Sequence, residues 1–158
     1  MKETELARRM RQLEDRLAIA QLQARYTVHI DDHDLANIGE LFASDGRFRS
    51  ADGVMDAHGR AAVCEQFRVR FADLGFGFHV THDHWIELDP TDPDAASGVV
   101  SSHAEVVWKG QPIIYAMRYH DKYVREESAW HFADRVLHFL YSLPADEYMA
   151  ALPTIRRP

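Results

Sequence analysis

The segment ELARRMRQLEDRLAIAQLQARYTVHIDD, residues 5–32, carries the clearest periodic pattern in the chain. Its apolar and small side chains recur in alternating steps of four and three residues, at Leu6, Met10, Leu13, Leu17, Ala20 and Ala24. This spacing is typical of one face of an α-helix. It predicts a long amphipathic helix from about Glu5 to about Asp32 that buries this stripe against the rest of the chain.

The predicted stripe ends in polar side chains. Two further steps reach Thr27 and Asp31, which places the Asp31 carboxylate on the inward face, whereas Asp32 points about 100° away around the helix. An ionised carboxylate on an inward face requires a partner or a function, because burying an unpaired charge is costly. Asp31 is therefore a candidate functional residue.

The rest of the chain predicts two shorter helices followed by a sheet. The expected elements are a helix over 35–43 capped by Asp34, a strand over 47–50, a helix from Gly59 to about residue 73 closed by Gly75 and Gly77, and strands near 78–88, 97–108, 111–126 and 129–142. Since no linker or internal repeat interrupts this order, we expect one α+β domain over residues 1–144. Residues 145–158 are expected to form a loosely attached C-terminal tail.

The composition limits the class of protein. The chain has 158 residues, 46% of them hydrophobic and 27% charged, which suits a compact globular domain. The formal net charge of −7 argues against nucleic acid as a partner. No apolar run has the length of a membrane span, and the charged N-terminus is unlike a signal peptide, so we expect a cytoplasmic protein with no membrane partner. A single cysteine excludes an internal disulfide.

The cluster HVTHDH, residues 79–84, raises the question of a metal site, because imidazole is a common metal ligand. In a regular strand His82 and His84 share one face while His79 lies on the other, so three ligands do not converge without a bulge. We therefore expect no metal here. His82, His84 and the outward His103 are expected at the surface or in an oligomer contact.

His79 differs from the other histidines because it begins the first long strand and is placed to face the same pocket as Asp31. A carboxylate bound to one ring nitrogen fixes the tautomer and stabilises the imidazolium, which leaves the other nitrogen free as a general base. A buried structural Asp–His pair is the alternative. The residues alone leave both interpretations open.

Other side chains are candidates for the same pocket. Tyr26, five residues before Asp31, either holds a substrate oxygen or packs in the core. Arg135 alternates with apolar residues in the last strand, so it is an inward cation that needs a protein carboxylate or a substrate anion. Five aromatic side chains are expected to line the pocket: Phe42, Phe67, Phe71, Trp85 and Phe139.

Several short motifs occur in a characteristic order over about residues 5–142. They are LAIAQLQARY (17–26), IDDHD (30–34), LF (41–42), GR (59–60), FH (78–79), ASG (96–98), YHDKYVR (119–125) and WHFADR (130–135). Together they resemble the SnoaL-like branch of the nuclear transport factor 2 superfamily. The resemblance implies a cone-shaped α+β barrel, in which three N-terminal helices wrap a curved, mixed but mainly antiparallel sheet around a deep apolar pocket. It also implies a homodimer or homotrimer.

Within this superfamily the chain is most similar to scytalone dehydratase, bile-acid 7α-dehydratase and hexachlorocyclohexane dehydrochlorinase, which are lyases that use an Asp–His dyad and no cofactor. The resemblance places the dyad on Asp31 and His79. It places a polar residue that assists the reaction on Tyr26, and the cavity arginine of the dehydrochlorinase on Arg135. A second pocket histidine of scytalone dehydratase falls near Val100, which makes that particular substrate doubtful.

These observations predict a cofactor-free, dehydratase-like lyase for a small hydrophobic, cyclic or polyketide-like substrate. Two alternatives stay open. The same dyad would also serve an isomerase or a cyclase, since both begin with proton abstraction. The fold also occurs in non-catalytic binding or assembly subunits, in which Asp31 and His79 need not meet.

Overall fold

A computed structural model describes residues 4–151 of the chain. Three helices are formed early in the chain, α1 (Glu5–Asp31), α2 (Leu35–Glu40) and α3 (Arg60–Phe71), and a short helix, α4 (Tyr148–Ala151), follows the last strand. The six strands are β1 (Phe42–Ser50), β2 (Asp56–His58), β3 (Leu74–Leu88), β4 (Ala95–Trp108), β5 (Gln111–Glu126) and β6 (Ala129–Pro144). Residues 152–158 of the expected C-terminal tail lie outside the described residues.

The strands form one six-stranded sheet in the order β2-β1-β6-β5-β4-β3. All neighbouring strands are antiparallel except β1 and β6, which are parallel. The predicted α+β class with a mixed, mainly antiparallel sheet is confirmed. The sheet is not closed, however, because the edge strands β2 and β3 do not pair with each other. Helix α1 lies against β3 and β6, and α3 lies against β1 and β2.

Helix α1 has the predicted length but buries a different face. The expected inward stripe is exposed, with Leu6 69%, Leu13 63% and Leu17 63% accessible to solvent. The buried residues of α1 are instead Asp15, Ile19, Leu22, Gln23, Tyr26 and Ile30. Because two of these six side chains are polar, the buried face is the less hydrophobic one in sequence, which explains why the periodicity indicated the wrong stripe.

The polar members of this face anchor α1 to the sheet. The Asp15 carboxylate accepts hydrogen bonds from the Arg125 guanidinium at 2.7 Å and from the Trp130 indole N–H at 3.1 Å. The guanidinium also lies 4.5 Å from the centre of the Trp130 ring. A buried carboxylate with two donors is compensated, so Asp15 fixes the helix on β5 and β6 at little cost in stability.

Strand β1 begins earlier than predicted, and α2 is correspondingly shorter. The register of β1 against β6 shifts between Phe42 and Arg47, so the segment expected to end the helix, Ser44-Asp45-Gly46, lies within an irregular strand. A side chain at Gly46 would place its Cβ 2.7 Å from the Phe132 carbonyl oxygen. Glycine is therefore required by close approach of two strands, not by the end of a helix.

Strand β3 starts at Leu74, and Gly75 and Gly77 lie inside it instead of closing α3. A bulge interrupts this strand, because the step from Thr81 to His84 on β3 spans only two residues on β4. The bulge reverses the alternation, so His79 and His84 both face inward. The prediction of a surface position for His84 is wrong: its Nε2 lies 3.0 Å from the hydroxyl of Tyr123, which is itself buried.

The inner face of the sheet and the buried faces of α1, α2 and α3 share one hydrophobic core. Its centre is aromatic, with Tyr26 in edge contact with Phe42, Phe67 and Phe132. Between residues 4 and 151 no helix is both long and apolar enough to cross a membrane. Over the same range, no three His, Cys, Asp or Glu side chains converge as metal ligands would.

Candidate active site

A cavity opens between the helices and the inner face of the sheet. It encloses about 580 Å³ of space when the solvent at its open mouth is included. Buried side chains form its deep end: Tyr26, Ile30, Phe48, Phe67, Met117 and Tyr119. Partly exposed side chains surround its opening: Arg70, Phe71, Leu74, Trp108, Tyr115 and Phe139. His79 completes the wall, so a nearly apolar chamber contains one imidazole.

Asp31 and His79 meet at this wall. The Asp31 Oδ1 lies 2.6 Å from His79 Nδ1, and the Oδ2 accepts a hydrogen bond from the His79 backbone N–H at 2.9 Å. The two side chains are only 16% and 13% exposed, respectively. Both carboxylate oxygens are therefore occupied by the same residue, which fixes the orientation of the carboxylate relative to the ring.

The end of α1 and the first half of β3 produce this contact, since β3 begins at Leu74 and not near residue 78 as expected. Asp31 is the last residue of α1, and His79 lies on the part of β3 that passes this helix end. The two elements pass in contact: a Cβ at Gly77 would lie 3.7 Å from Asp31 Oδ1, an ordinary van der Waals distance. Asp31 thus lies behind His79 and holds it at the wall of the cavity without itself lining the cavity.

The contact determines which ring nitrogen is available for chemistry. Asp31 accepts from Nδ1, which favours the tautomer with its proton on Nδ1 and a lone pair on Nε2. Nε2 has no hydrogen-bond partner among the described residues, and the ring belongs to the wall of the cavity. An imidazole in this arrangement is able to accept a proton from a molecule in the cavity while the carboxylate stabilises the imidazolium.

Tyr26 lies at the deep end of the same cavity. Its ring is 3% exposed and makes edge contact with Tyr119 at 5.9 Å between centroids. Burial, and secondarily the neighbouring Tyr119, raises the pKa of Tyr26 well above its ordinary value. The phenol is therefore neutral at physiological pH, and its hydroxyl shares a hydrogen bond with the hydroxyl of Tyr119.

Arg135 is inward and fully buried, but it does not line the cavity. Its guanidinium carbon lies 4.0 Å from the ring centres of both Tyr26 and Tyr119. Its Nε lies 3.2 Å from Asp121 Oδ1, and its Nη2 donates to the Gln23 side-chain oxygen. The expectation that Arg135 lies in the cavity is therefore wrong. Its charge is balanced by the Asp121 carboxylate, and its guanidinium makes cation–π contacts with the neighbouring aromatic rings.

The five aromatic candidates divide into two groups. Phe67, Phe71 and Phe139 line the cavity, and their contact with a substrate stays a prediction. Phe42 does not line it, because the first residue of β1 packs in the core against Tyr26 and Phe132. Trp85 does not line it either: it is 65% exposed on the outer face of β3, where the bulge directs it.

Eleven of the lining residues were not predicted from the sequence, among them Arg70, Trp108 and Tyr119. Tyr119 lies two residues from the inward Asp121 and four from the inward Tyr123, so the period of two along β5 was an available signal. Trp108 ends β4 just before the Lys109-Gly110 turn, where alternation alone does not define a face. Arg70 lies one residue before the end of α3. Because it is charged like the exposed residues of that helix, the sequence does not distinguish it as a lining residue.

Comparison with known proteins identifies relatives of the whole domain. The family described as SnoaL-like domain matches residues 11–136. No protein with a curated description matches the sequence. A solved structure from Novosphingobium aromaticivorans, provisionally called a scytalone dehydratase, is similar with a TM-score of 0.76 and 20% identity, covering 85% of this chain and 89% of that one.

Two further solved structures extend this likeness. A type 2 hexachlorocyclohexane dehydrochlorinase (LinA) has a TM-score of 0.76 and 18% identity, covering 85% of this chain and 91% of its own. An NTF2-like protein with a cystatin-like fold from Novosphingobium aromaticivorans has a TM-score of 0.69 and 28% identity, covering 88% and 90%. These similarities establish the fold.

Proposed function

This chain belongs to the SnoaL-like domain family, and from the Asp31–His79 pair in its cavity we propose that it is a lyase of the dehydratase type. The proposed substrate is a hydrophobic, cyclic or polyketide-like molecule, because the chamber is lined mainly by aromatic and aliphatic side chains. The observation that carries the proposal is one imidazole, oriented by a carboxylate, in an otherwise nearly apolar cavity.

The proposed reaction begins with proton abstraction. His79 Nε2 takes a proton from a carbon next to a carbonyl group, and Asp31 stabilises the imidazolium that results. The electron pair of the broken C–H bond moves into the carbonyl as an enolate, whose oxygen accepts a hydrogen bond from the Tyr26 phenol.

Elimination then completes the reaction. The enolate electrons form a carbon–carbon double bond as the bond to the leaving hydroxyl breaks. The His79 imidazolium returns its proton to the departing oxygen, which leaves as water. Substrate is thus converted into an unsaturated product and one water molecule, and the imidazole regains its initial state.

Arg135 acts in this scheme as a positioning residue. Its guanidinium contacts the rings of Tyr26 and Tyr119, which line the cavity, but does not line the cavity itself. Its positive charge lowers the pKa of both phenols, opposing the effect of burial, and so makes Tyr26 a better donor to a developing oxyanion.

The magnitudes are consistent with such a site. General acid–base catalysis typically contributes about 10²- to 10⁴-fold, and one well-placed donor to an oxyanion about 10²- to 10³-fold. Orientation of the substrate in a sheltered chamber supplies the remainder. The names of two similar structures, a dehydratase and a dehydrochlorinase, also refer to elimination reactions.

A panel of cyclic β-hydroxy ketones, analysed by mass spectrometry, tests the proposal. Loss of one water by the wild type, absent in His79→Ala, supports a dehydratase. A new compound of unchanged mass identifies an isomerase or cyclase that uses the same base. Binding of panel members without any turnover contradicts the catalytic proposal and indicates a binding subunit.

We further propose that the protein forms a homo-oligomer through the outer face of β3. This face exposes four large apolar side chains, Phe76, Phe78, Val80 and Trp85, on an edge strand. Exposed apolar residues in such a group are typical of a protein interface. Sedimentation equilibrium should show a dimer or trimer for the wild type and a monomer for Phe76→Glu. A monomeric wild type would contradict the proposal.

A further inference from the structure

Among the described residues that line the cavity, Arg70 is the one with a permanent charge. It belongs to the last turn of α3 and is partly exposed, beside the partly exposed Phe71 and Leu74 at the opening. The remaining wall is apolar or phenolic apart from His79. A cation at the mouth of such a chamber offers a ligand one fixed electrostatic contact.

The ring of Trp108 holds the Arg70 side chain over this opening. The guanidinium carbon of Arg70 lies 4.9 Å from the centre of the indole, in range for a cation–π interaction. Trp108 also lines the cavity. The stacking limits the positions that the long side chain adopts, which lowers the entropy cost of binding an anion.

A second cation, Lys109, lies near the same Trp108 ring and, unlike Arg70, has a carboxylate partner. Lys109 lies 5.8 Å from the indole centre, and its ammonium is paired with the Asp73 carboxylate at 3.3 Å. Within residues 4–151, no carboxylate lies within 4.0 Å of the Arg70 guanidinium, and no hydrogen bond from it is formed. Of the two cations at Trp108, the one without a carboxylate partner, Arg70, is the one that lines the cavity.

Asp52 is the carboxylate whose pKa the charge of Arg70 affects, and it already accepts hydrogen bonds from its own turn. Arg70 contributes only slightly to the lowered pKa of Asp52. Hydrogen bonds from the Ser50 hydroxyl and the Val54 backbone N–H to Asp52 dominate that shift. The Asp52 carboxylate is therefore hydrogen-bonded within its own turn, and the N–H donors of the Arg70 guanidinium remain available to a ligand.

We propose that Arg70 binds a carboxylate of the substrate at the mouth of the cavity. The substrate class is then a hydrophobic cyclic carboxylic acid, whose ring system enters the aromatic chamber while its anionic end stays at the opening. This inference rests on the proposed function only in that the substrate occupies this cavity. A planar guanidinium forms two parallel hydrogen bonds with a carboxylate, so Arg70 selects both charge and orientation.

Two probes of similar shape test the charge preference without any turnover: 2-naphthoate, which carries a carboxylate, and the neutral 2-acetylnaphthalene. Calorimetric titration of the wild type should show tighter binding of 2-naphthoate. In Arg70→Gln the dissociation constant of 2-naphthoate should rise about tenfold, as expected for loss of a charge-assisted hydrogen bond, while that of 2-acetylnaphthalene changes less than about twofold.

Arg68→Gln is the matched control, because Arg68 lies on the same helix but is paired with Glu65 at 2.7 Å and lies outside the cavity. It should leave both dissociation constants unchanged. The proposal is overturned if Arg70→Gln weakens both probes equally or neither, if Arg68→Gln has the same effect, or if the wild type does not bind 2-naphthoate.

The same titration separates this inference from the proposed function. His79→Ala should keep the preference for 2-naphthoate, since the Arg70 contact does not depend on the base. Charge-selective binding together with absence of turnover on every carboxylated cyclic β-hydroxy ketone would contradict the lyase proposal alone. Turnover without charge selectivity would contradict the role of Arg70 alone.

Discussion

Asp31 binds His79 through both of its carboxylate oxygens, one at the ring Nδ1 at 2.6 Å and the other at the backbone N–H at 2.9 Å. A single ring contact would permit rotation of the carboxylate, whereas the second contact fixes its plane. The carboxylate is therefore pre-oriented to stabilise a positive charge on the imidazole, at a site where both groups are largely shielded from water.

Replacing Asp31 by asparagine should lower kcat about 10²- to 10⁴-fold on any substrate that is turned over. The amide replaces one of the two acceptor oxygens by an NH₂ donor, so it does not accept at both positions that His79 occupies, and it does not stabilise an imidazolium by charge. Asp32→Asn, at the exposed next position, should retain full activity. Steady-state kinetics with circular dichroism checks both variants. Equal activity of Asp31→Asn and the wild type would contradict the dyad.

Tyr26→Phe should lower kcat about 10²- to 10³-fold with little change in KM, because it removes a donor that acts mainly in the transition state. The ring contacts with Phe42, Phe67 and Phe132 are retained, so the fold should persist. Tyr115→Phe, at the cavity opening, is a suitable control. An unchanged kcat in Tyr26→Phe would show that the Tyr26 hydroxyl has only a packing role.

Arg135→Met should reduce the free energy of unfolding by about 3–5 kcal/mol, because it leaves Asp121 as a buried, unpaired carboxyl group. The double variant Arg135→Met/Asp121→Asn should recover much of this loss, since neither charge is then present. Urea denaturation of the two single variants and the double variant measures the coupling. Strictly additive losses would show that the two side chains do not stabilise each other.

His84 should make stability depend on pH. Burial, and secondarily Arg135, lowers the pKa of His84 from 6.5 to about 4. Between these values the unfolded chain binds a proton that the folded chain excludes, so acid favours unfolding. The melting temperature of the wild type relative to His84→Gln should therefore rise as pH increases from about 4 to about 6.5 and then level off.

The difference between the melting temperatures of the wild type and His84→Gln, taken at each pH, separates the contribution of His84 from those of other titrating groups. Burial raises the pKa of Asp121 to about 6, which gives a pH dependence of the opposite sign, but this contribution is common to both proteins. His82→Gln, at an exposed position two residues earlier, provides the control. A difference curve that is flat from pH 4 to 6.5 would exclude a buried, neutral His84.

The limits of three long strands were predictable because turn sequences separate them, although two register shifts interrupt the pairing of β5 with β6. Residues 111–126 have the predicted limits in β5, and β4 and β6 differ from prediction by only two residues at one end. The face of α1 was not predictable in the same way, because Asp15 and Gln23 occupy its buried side. Their partners, Arg125 and Arg135, lie about 110 residues further along the chain, beyond the reach of local pattern.

The residues of the candidate site likewise divide into those that the sequence identified and those that it misplaced. Asp31 was identified from the stripe of α1 that proves to be exposed, and His79 from a strand start that in fact lies at Leu74, so the two residues were identified although the stripe and the strand limit were wrong. Trp85 and His84 were misplaced because one extra residue in β3 reverses every side chain after it. No residue type in that stretch marks a bulge, so the reversal becomes visible only when β3 is paired with β4.

Proton abstraction by His79 is tested most directly by hydrogen–deuterium exchange at a carbon acid held in the cavity. The probe is 2-tetralone in D₂O, followed by proton NMR, after calorimetry has established that it binds wild type and His79→Ala alike. We expect the wild type to accelerate loss of the signals of the protons next to the carbonyl, and His79→Ala to show only the uncatalysed rate. Equal exchange rates with bound probe in the two proteins would contradict the assignment of His79 as the base.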